Sequence, residues 1–398
     1  MAARIHRAPP TIRLADRLDG IAESMTLAIS AKARELKAKG IDVCGFGSGE
    51  PDFDTPVHIK QAAIAALERG ETKYGPVEGI ARLRTAIAHK LATDNQLSYK
   101  PSQIQVSSGA KQVLYNLIMA LINPGDEVLI PAPFWLSYPE MVRLASGNPV
   151  ILETSEASRF KLTPDQLDAA ITPRTRLVII ASPSNPTGVM YRPDELAALA
   201  KVIVARDLLV ISDEIYEKLT YGSVPFRSIG SLGEEIQART ITVNGFSKAY
   251  AMTGWRLGYA AGPQPIIDAA NVIQSHSLSN VASFAQYGAV AALEGDQSPV
   301  EHMRQAFAQR REVIYQGVTA IPGITCVEPD GAFYVFPSIA ATGLDSLTFS
   351  QRFLEEEAVA VVPGVSFGSD QHIRFSYATD LATIEKGVER LSRFVSRL

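Results

Sequence analysis

The sequence predicts an α/β protein: a large domain with a mainly parallel central sheet covered by helices, and a smaller α+β domain beside it. Three observations carry this. Short, almost purely apolar runs recur through the middle third with helical patterns between most of them, and strands without polar alternation are those buried on both faces. The C-terminal part loses that rhythm and mixes short strands with helices. Length and composition agree, since 398 residues, 46% of them apolar and 20% charged, suffice for two cores and argue against global disorder.

From the N-terminus, residues 26–39 place Leu27, Ile29, Ala31, Ala33 and Leu36 on an imperfect apolar helical face that Gly40 ends. Residues 41–46 read as a strand or extended segment, and Gly47 to Phe53 as a loop. Helical periodicity returns at 56–69 and 78–92. Strands are then expected at 104–106, 127–130, 150–153, 177–181, 208–212, 240–243 and 257–260, with helices at 111–122, 138–146 and 193–206. Two long helices follow, 267–294 and 299–320. Beyond them lie strand patterns at 324–328, 332–336, 359–362 and 372–376, and helical ones at 349–356 and 380–394. The domain division this implies is an N-terminal segment, 1–48, contributing to the smaller domain, a large domain over 49–298, and the rest of the smaller domain over 299–398, beginning with a linking helix.

With 38 basic and 42 acidic side chains the formal charge is −4, which gives no electrostatic reason to expect nucleic acid or an anionic membrane as partner. Cys44 and Cys326 are isolated and the six histidines are scattered, so no metal is expected. The basic N-terminus lacks an apolar signal core, and no apolar run reaches membrane length. A cytoplasmic protein with free thiols is expected.

Open parallel sheets bind ligands beyond the carboxyl ends of their strands, where polar residues gather here: Ser108, Asn185, Asp213 and Lys248. Lys248 precedes Arg256 by eight residues amid small neighbours. Such an amine can carry a covalent cofactor while the arginine holds its anionic part, although a lysine after a strand is also an ordinary solvated charge. Asp213 suits a protonated ring nitrogen or a simple turn. Asn185, in Ser182-Pro183-Ser184-Asn185-Pro186-Thr187-Gly188, is an amide donor or part of a plain turn. The Ser108 hydroxyl with the peptide nitrogens of Gly109 and Ala110 makes a phosphate cup at a helix start, or a serine cap. Trp135 is a stacking ring or core packing. The fork of Arg374 fits a carboxylate, or is solvated.

The stretch from Thr242 to Arg256 resembles the lysine segment of fold-type I pyridoxal-phosphate enzymes, above all the aspartate aminotransferase family. Phe134-Trp135-Leu136-Ser137-Tyr138-Pro139-Glu140-Met141 and Ala251-Met252-Thr253-Gly254-Trp255-Arg256 are similar to its bacterial Iβ subgroup, and matches run from Gly49 to Arg374. The resemblance implies a fold-type I transferase and a ping-pong reaction, L-aspartate plus 2-oxoglutarate to oxaloacetate plus L-glutamate, with pyridoxal 5'-phosphate bound covalently to Lys248. It further implies that Asp213 binds ring N1, that Asn185 and Tyr216 reach the cofactor 3'-oxygen, and that Trp135 stacks on the ring. Ser108, Gly109, Ala110 and Arg256 would hold the phosphate. Tyr74, in Thr72-Lys73-Tyr74-Gly75, would reach the phosphate of the other subunit of a homodimer.

Family members often carry a hydroxyl three residues before the lysine, where this chain has Gly245; Ser247, next to the lysine, is the hydroxyl that remains. On the substrate side the resemblance implies Arg374 for the α-carboxylate, supported by Asn185, Trp135 and the Gly49 N–H. Lys111 is assigned to the distal carboxylate, because the segment 276–280, where animal and enteric relatives receive an arginine, contains none. Relatives with the same frame use alanine, aromatic amino acids or prephenate, so an aromatic or glutamate/aspartate-prephenate aminotransferase is the alternative. Some prephenate users carry a basic residue near the N-terminal helix, where this chain has the acid Glu23.

Overall fold

Residues 13–18, 20–21 and 25–398 are described by a computed structural model, so the basic stretch 1–12 and Glu23 lie outside them. Helix α1 (Met25–Ala38) leads to strand β1 (Cys44–Gly45), α2 (Val57–Glu68) and α3 (Ala81–Asn95). The alternating region comprises β2 (Ile104–Ser107), α4 (Gly109–Leu121), β3 (Glu127–Ala132), α5 (Ser137–Leu144), β4 (Asn148–Glu153), α6 (Pro164–Ala170) and β5 (Thr175–Ala181). It continues through α7 (Pro193–Ala205), β6 (Leu209–Asp213), α8 (Glu234–Gln237), β7 (Thr240–Gly245) and β8 (Gly258–Ala261). Helices α9 (Gln264–Ser277), α10 (Ser283–Glu294) and α11 (Ser298–Thr319) follow. The chain closes with β9 (Tyr334–Val335), α12 (Ser346–Glu357), β10 (Val359–Ala360), β11 (Val362–Pro363), β12 (Ile373–Ser376) and α13 (Leu381–Val395).

The expected mainly parallel sheet is present, with seven strands in the order β2-β8-β7-β6-β5-β3-β4. Its strands alternate between two cores. Val128, Ile130, Leu177, Ile179 and Ile211 pack with α4, α5 and α9, whereas Leu129, Val178, Ile180 and Val210 pack with α6 and α7. A side-chain period of two sends neighbours to opposite faces, so apolar runs are what a sheet covered twice requires. Strand β8 alone runs against the common direction of the other six. The chain between β7 and β8 holds no α-helix to carry a parallel crossover, so β8 returns beside β7 in the opposite sense.

The remaining strands form an antiparallel β11-β12-β9 sheet and a parallel β1-β10 pair. Around them packs an aromatic core that includes Phe46, Phe307, Phe349, Phe353, Phe375 and Phe394. The long helix expected over 267–294 is two helices. Ser279 adopts φ +68° and both Leu278 N and Ser279 N donate to Gln274 O, closing α9 before α10 begins. Cap-forming serines and Asn280 at this point are the local signal. Residues 324–328 make an isolated bridge, Thr325 to Ser338, not a strand, because a turn at Gly323 and Pro329 bound the segment. The expected strand 359–362 divides at Val361, one half pairing with β1 and the other with β12. Residues 41–46 contribute only β1. Helix α6 went unforeseen, although Thr163 accepts from Gln166 N at 3.2 Å in a capping box that the sequence displays.

Candidate active site

Strands β2, β5, β6 and β7 end at one edge of the large sheet, and the antiparallel β8 begins there. That edge brings Ser108, Asn185, Asp213, Lys248 and Arg256 into one region, as the strand reading required. At its side the first turn of α4 meets the loop before β8. Arg256 Nη2 donates to Ser108 O at 3.3 Å and Nη1 to Thr253 O at 2.9 Å. Gly109 has φ +82°, and a Cβ on it would lie 2.5 Å from Arg256 Nη2. The Ser108 side chain makes no capping bond. A guanidinium thus sits against unbonded first-turn amides of a 13-residue helix, a combination that favours an anion and fits a phosphate.

Lys248 is half-buried, and its Nζ donates to Gly49 O. The rings of Tyr216 and Phe333 both lie 5.8 Å away. Burial, helped by the charges of Arg374 and Arg256 and opposed by Glu50 and Asp213, brings its pKa down to about 8. A substantial neutral-amine population near physiological pH is the condition for nucleophilic use of lysine.

Asp213, at the end of β6, is buried and has no ion-pair partner among the described residues. Tyr138 Oη donates to its Oδ2 at 2.7 Å and Ile215 N to its Oδ1 at 3.3 Å. Burial raises its pKa, with Tyr138, Ile215 and Lys248 opposing. A carboxyl held in this state is matched to a cationic ring nitrogen, whose arrival would supply the missing countercharge. Trp135 stands edge-on to Tyr138 with centroids 5.4 Å apart, and Lys111 Nζ lies 4.9 Å over the Trp135 ring. Desolvation of that ammonium, then repulsion from Arg256, lowers the Lys111 pKa, although the residue is exposed overall.

Strand β12 delivers Arg374, which is buried. Nη1 donates to Asn185 Oδ1 at 2.9 Å, Nη2 donates to Gly47 O at 3.0 Å, and Nε has no partner. The guanidinium lies 4.5 Å over the Tyr334 ring and 5.0 Å over Phe367. Burial lowers its pKa. No carboxylate pairs with it among the described residues, and a buried cation with only neutral neighbours is a receptor for an anion.

Tyr216 Oη and Tyr334 Oη are 2.8 Å apart. Gly49 supplies a carbonyl to Lys248 and would place a Cβ 3.5 Å from Tyr334 Oη. Ser247 is buried beside Lys248. A Cβ at Gly245 would approach Leu257 O to 2.9 Å, so the contact between β7 and β8 explains why no hydroxyl-bearing residue stands there. Tyr74 is 94% exposed and is not brought to the site by its own chain. Two functional candidates were missed. Tyr138, in the aromatic stretch after β3, gave no sign of contact with Asp213, and Tyr334 lay in an apolar run without spacing to connect it to Tyr216. No group of His, Cys, Asp and Glu able to hold a metal occurs among the described residues, and none of the helices there is long and apolar enough to cross a membrane.

Residues 41–391 match the family described as aminotransferase class I and II. A Bacillus subtilis protein named aspartate aminotransferase is 50% identical over 97% of this chain and 100% of its own length. A Cereibacter sphaeroides protein named aspartate/prephenate aminotransferase is 46% identical over 97% of this chain and 99% of its own. The crystal structure of the aspartate aminotransferase from Rhizobium meliloti superposes with a TM-score of 0.94 at 41% identity, covering 98% of this chain and 100% of that one.

Proposed function

The chain belongs to the class I and II aminotransferases, and from that premise we propose that it transfers the amino group of L-aspartate to 2-oxoglutarate, yielding oxaloacetate and L-glutamate in a ping-pong reaction. The observation that carries this reading is the buried, carboxylate-free Arg374 facing the same strand edge as Lys248 and Asp213. Pyridoxal phosphate, the cofactor of this family, supplies when bound a conjugated pyridinium that accepts the electron pair released at the substrate Cα.

Lys248 would hold the cofactor covalently through Nζ, and Ser108, Gly109, Ala110 and Arg256 would hold its phosphate, with Ser247 the adjacent hydroxyl. Asp213, fixed by Tyr138, would keep the ring nitrogen protonated. Asn185 and Tyr216 would donate to the 3'-oxygen, and Trp135 would cover the ring and exclude water. Arg374 grips the α-carboxylate, the Gly49 N–H adds a donor, and Lys111 draws the distal carboxylate across Trp135. Lys248 Nζ would act as the base that takes the substrate Cα proton and as the acid that returns it. Its lowered pKa suits both steps, because the same nitrogen must accept and release that proton near neutral pH.

Tyr74, almost wholly exposed, is assigned to the phosphate site of a second copy, making the working unit a homodimer. Residues 1–48 and 299–398 are assigned to the smaller domain and 49–298 to the larger. Pairing of β1 with β10 supports this, since it ties the N-terminal segment to the C-terminal part. A cytoplasmic location is part of this proposal, and the two free thiols, Cys44 and Cys326, are compatible with it. Prephenate is the second amino acceptor to test, because one relative carries it in its name. Purified holoenzyme assayed with aspartate, alanine, phenylalanine and arogenate against 2-oxoglutarate decides: aspartate turnover far below phenylalanine or arogenate would overturn the assignment.

A further inference from the structure

We propose that Tyr334 is a positioning residue of the transfer reaction: its hydroxyl donates to the Tyr216 oxygen and so frees the Tyr216 proton for the cofactor 3'-oxygen. The inference rests on the role proposed above for Tyr216 and adds the residue behind it. Both phenols are buried, their hydroxyl oxygens are 2.8 Å apart, and their rings meet edge to face at 5.8 Å and 83°. A phenol has one proton to give and lone pairs to receive with. Only one of the two protons can lie between the oxygens. If Tyr216 gives it, Tyr216 has none left for a ligand; if Tyr334 gives it, Tyr216 can accept and donate at once. The second arrangement is the one compatible with Tyr216 serving the cofactor.

The surroundings favour Tyr334 as donor. The Arg374 guanidinium lies 4.5 Å over its ring. Burial raises the pKa of both phenols and the Arg374 charge opposes that rise at both, second only to burial at Tyr334 but outweighed by the Tyr334 contact as well at Tyr216. A ring facing a cation gives up its proton more readily, which makes its O–H the better donor. Hydrogen bonds in series polarise one another, so a donor behind Tyr216 strengthens the bond that Tyr216 makes in turn. Tyr334 thus joins the platform under the carboxylate receptor to the donor on the cofactor, with its ring doing one task and its hydroxyl the other.

The test is a visible-absorbance pH titration of the holoenzyme. Its midpoint reports the proton shared by the Lys248 nitrogen and the 3'-oxygen. When that proton leaves, the oxygen carries its negative charge unshared, so a stronger Tyr216 donor favours the deprotonated state and a weaker one raises the midpoint. Tyr216→Phe should raise it by about 1–2 pH units, the equivalent of one hydrogen bond to a charged group. Tyr334→Phe should raise it by roughly a quarter of that, since serial polarisation contributes about 10–30% per bond. In the Tyr216→Phe background the Tyr334→Phe change should move nothing further, because its effect passes through the missing hydroxyl. Affinity for an unreactive dicarboxylate should persist in Tyr334→Phe, which keeps the ring beneath Arg374. A shifted midpoint in Tyr216→Phe with none in Tyr334→Phe would overturn the inference and leave the reading of Tyr216 standing. Equal Tyr334→Phe shifts in both backgrounds would overturn it too, by showing action that bypasses Tyr216. An unmoved midpoint in Tyr216→Phe would instead remove Tyr216 from the 3'-oxygen, and with it this inference.

Discussion

Arg374 Nη1 donates to Asn185 Oδ1 at 2.9 Å, and this contact orients both side chains. Because the amide oxygen faces the guanidinium, the Asn185 NH2 is left to donate elsewhere, as a 3'-oxygen partner must. Because the amide is neutral, the guanidinium keeps its charge uncompensated and retains Nε for an incoming anion. The two residues come from the loop after β5 and from β12, so the contact also joins the large sheet to the small one.

Asn185→Asp should therefore injure the enzyme more than its near-identical size suggests. A carboxylate at this position would pair with Arg374 internally and compete with every substrate α-carboxylate. A charge-assisted bond is worth about 1.5–3 kcal/mol, or about ten- to a hundredfold in kcat/KM. Steady-state kinetics should show KM rising for aspartate, alanine and phenylalanine alike. A loss confined to one amino acid would contradict the shared carboxylate site.

Lys248→Ala should fold and lose covalent cofactor retention. Borohydride treatment followed by peptide mapping should label Lys248 in the parent and no lysine in the variant. The pKa of about 8 adds a pH prediction for cofactor-free parent protein. Only the neutral amine attacks, so the rate of cofactor capture should climb as pH rises through about 8 and level off well below the ordinary lysine range. A rate still climbing steeply at pH 10 would show that burial does not lower this pKa.

Asp213→Asn should separate stability from function. Burial raises the Asp213 pKa in the folded protein, so folding takes up protons here between the ordinary carboxylate range and the raised value. The group's contribution to stability consequently falls as pH rises through that window and stays reduced above it. Cofactor-free Asp213→Asn should melt at or above the parent temperature at pH 7, with Tyr138 still bonded to the amide oxygen. The loaded variant should be slow in single-turnover reaction with aspartate, because an amide cannot stabilise the ring cation. A lower melting temperature in the cofactor-free variant, or unchanged single-turnover rates, would remove the proposed role.

Much of this site was legible in the sequence because its residues follow apolar runs that mark strands buried on both faces of one sheet. Asp213 closes β6, and Ser108, Asn185 and Lys248 lie just beyond the ends of β2, β5 and β7, so the sheet brings them together. Arg374 was legible by its match to a family position, although its burial and unpaired Nε required the structure. Tyr138 and Tyr334 were not legible, because each acts through one hydroxyl on a distant side chain and an aromatic in an apolar run reads as core. The break between α9 and α10 was missed for a related reason: continuing helical periodicity outweighed a short cluster of serines and an asparagine.

Lys111 carries the prediction with the most at stake. Its ammonium rests over Trp135 while the residue remains exposed, so its charge is partly screened by water. Lys111→Ala should lower kcat/KM for aspartate and glutamate by about tenfold, the lower end for a charge-assisted contact given that screening. Alanine and phenylalanine should change little. Arg374→Ala should instead penalise all four, since each carries an α-carboxylate. Cofactor occupancy, measured by absorbance, has to be matched between variants, because Lys111 lies on the first turn of α4 next to the phosphate cup. A uniform decline across the panel would assign Lys111 to that cup. Undiminished dicarboxylate efficiency would show that a different cation, such as one from a second subunit, selects the substrate.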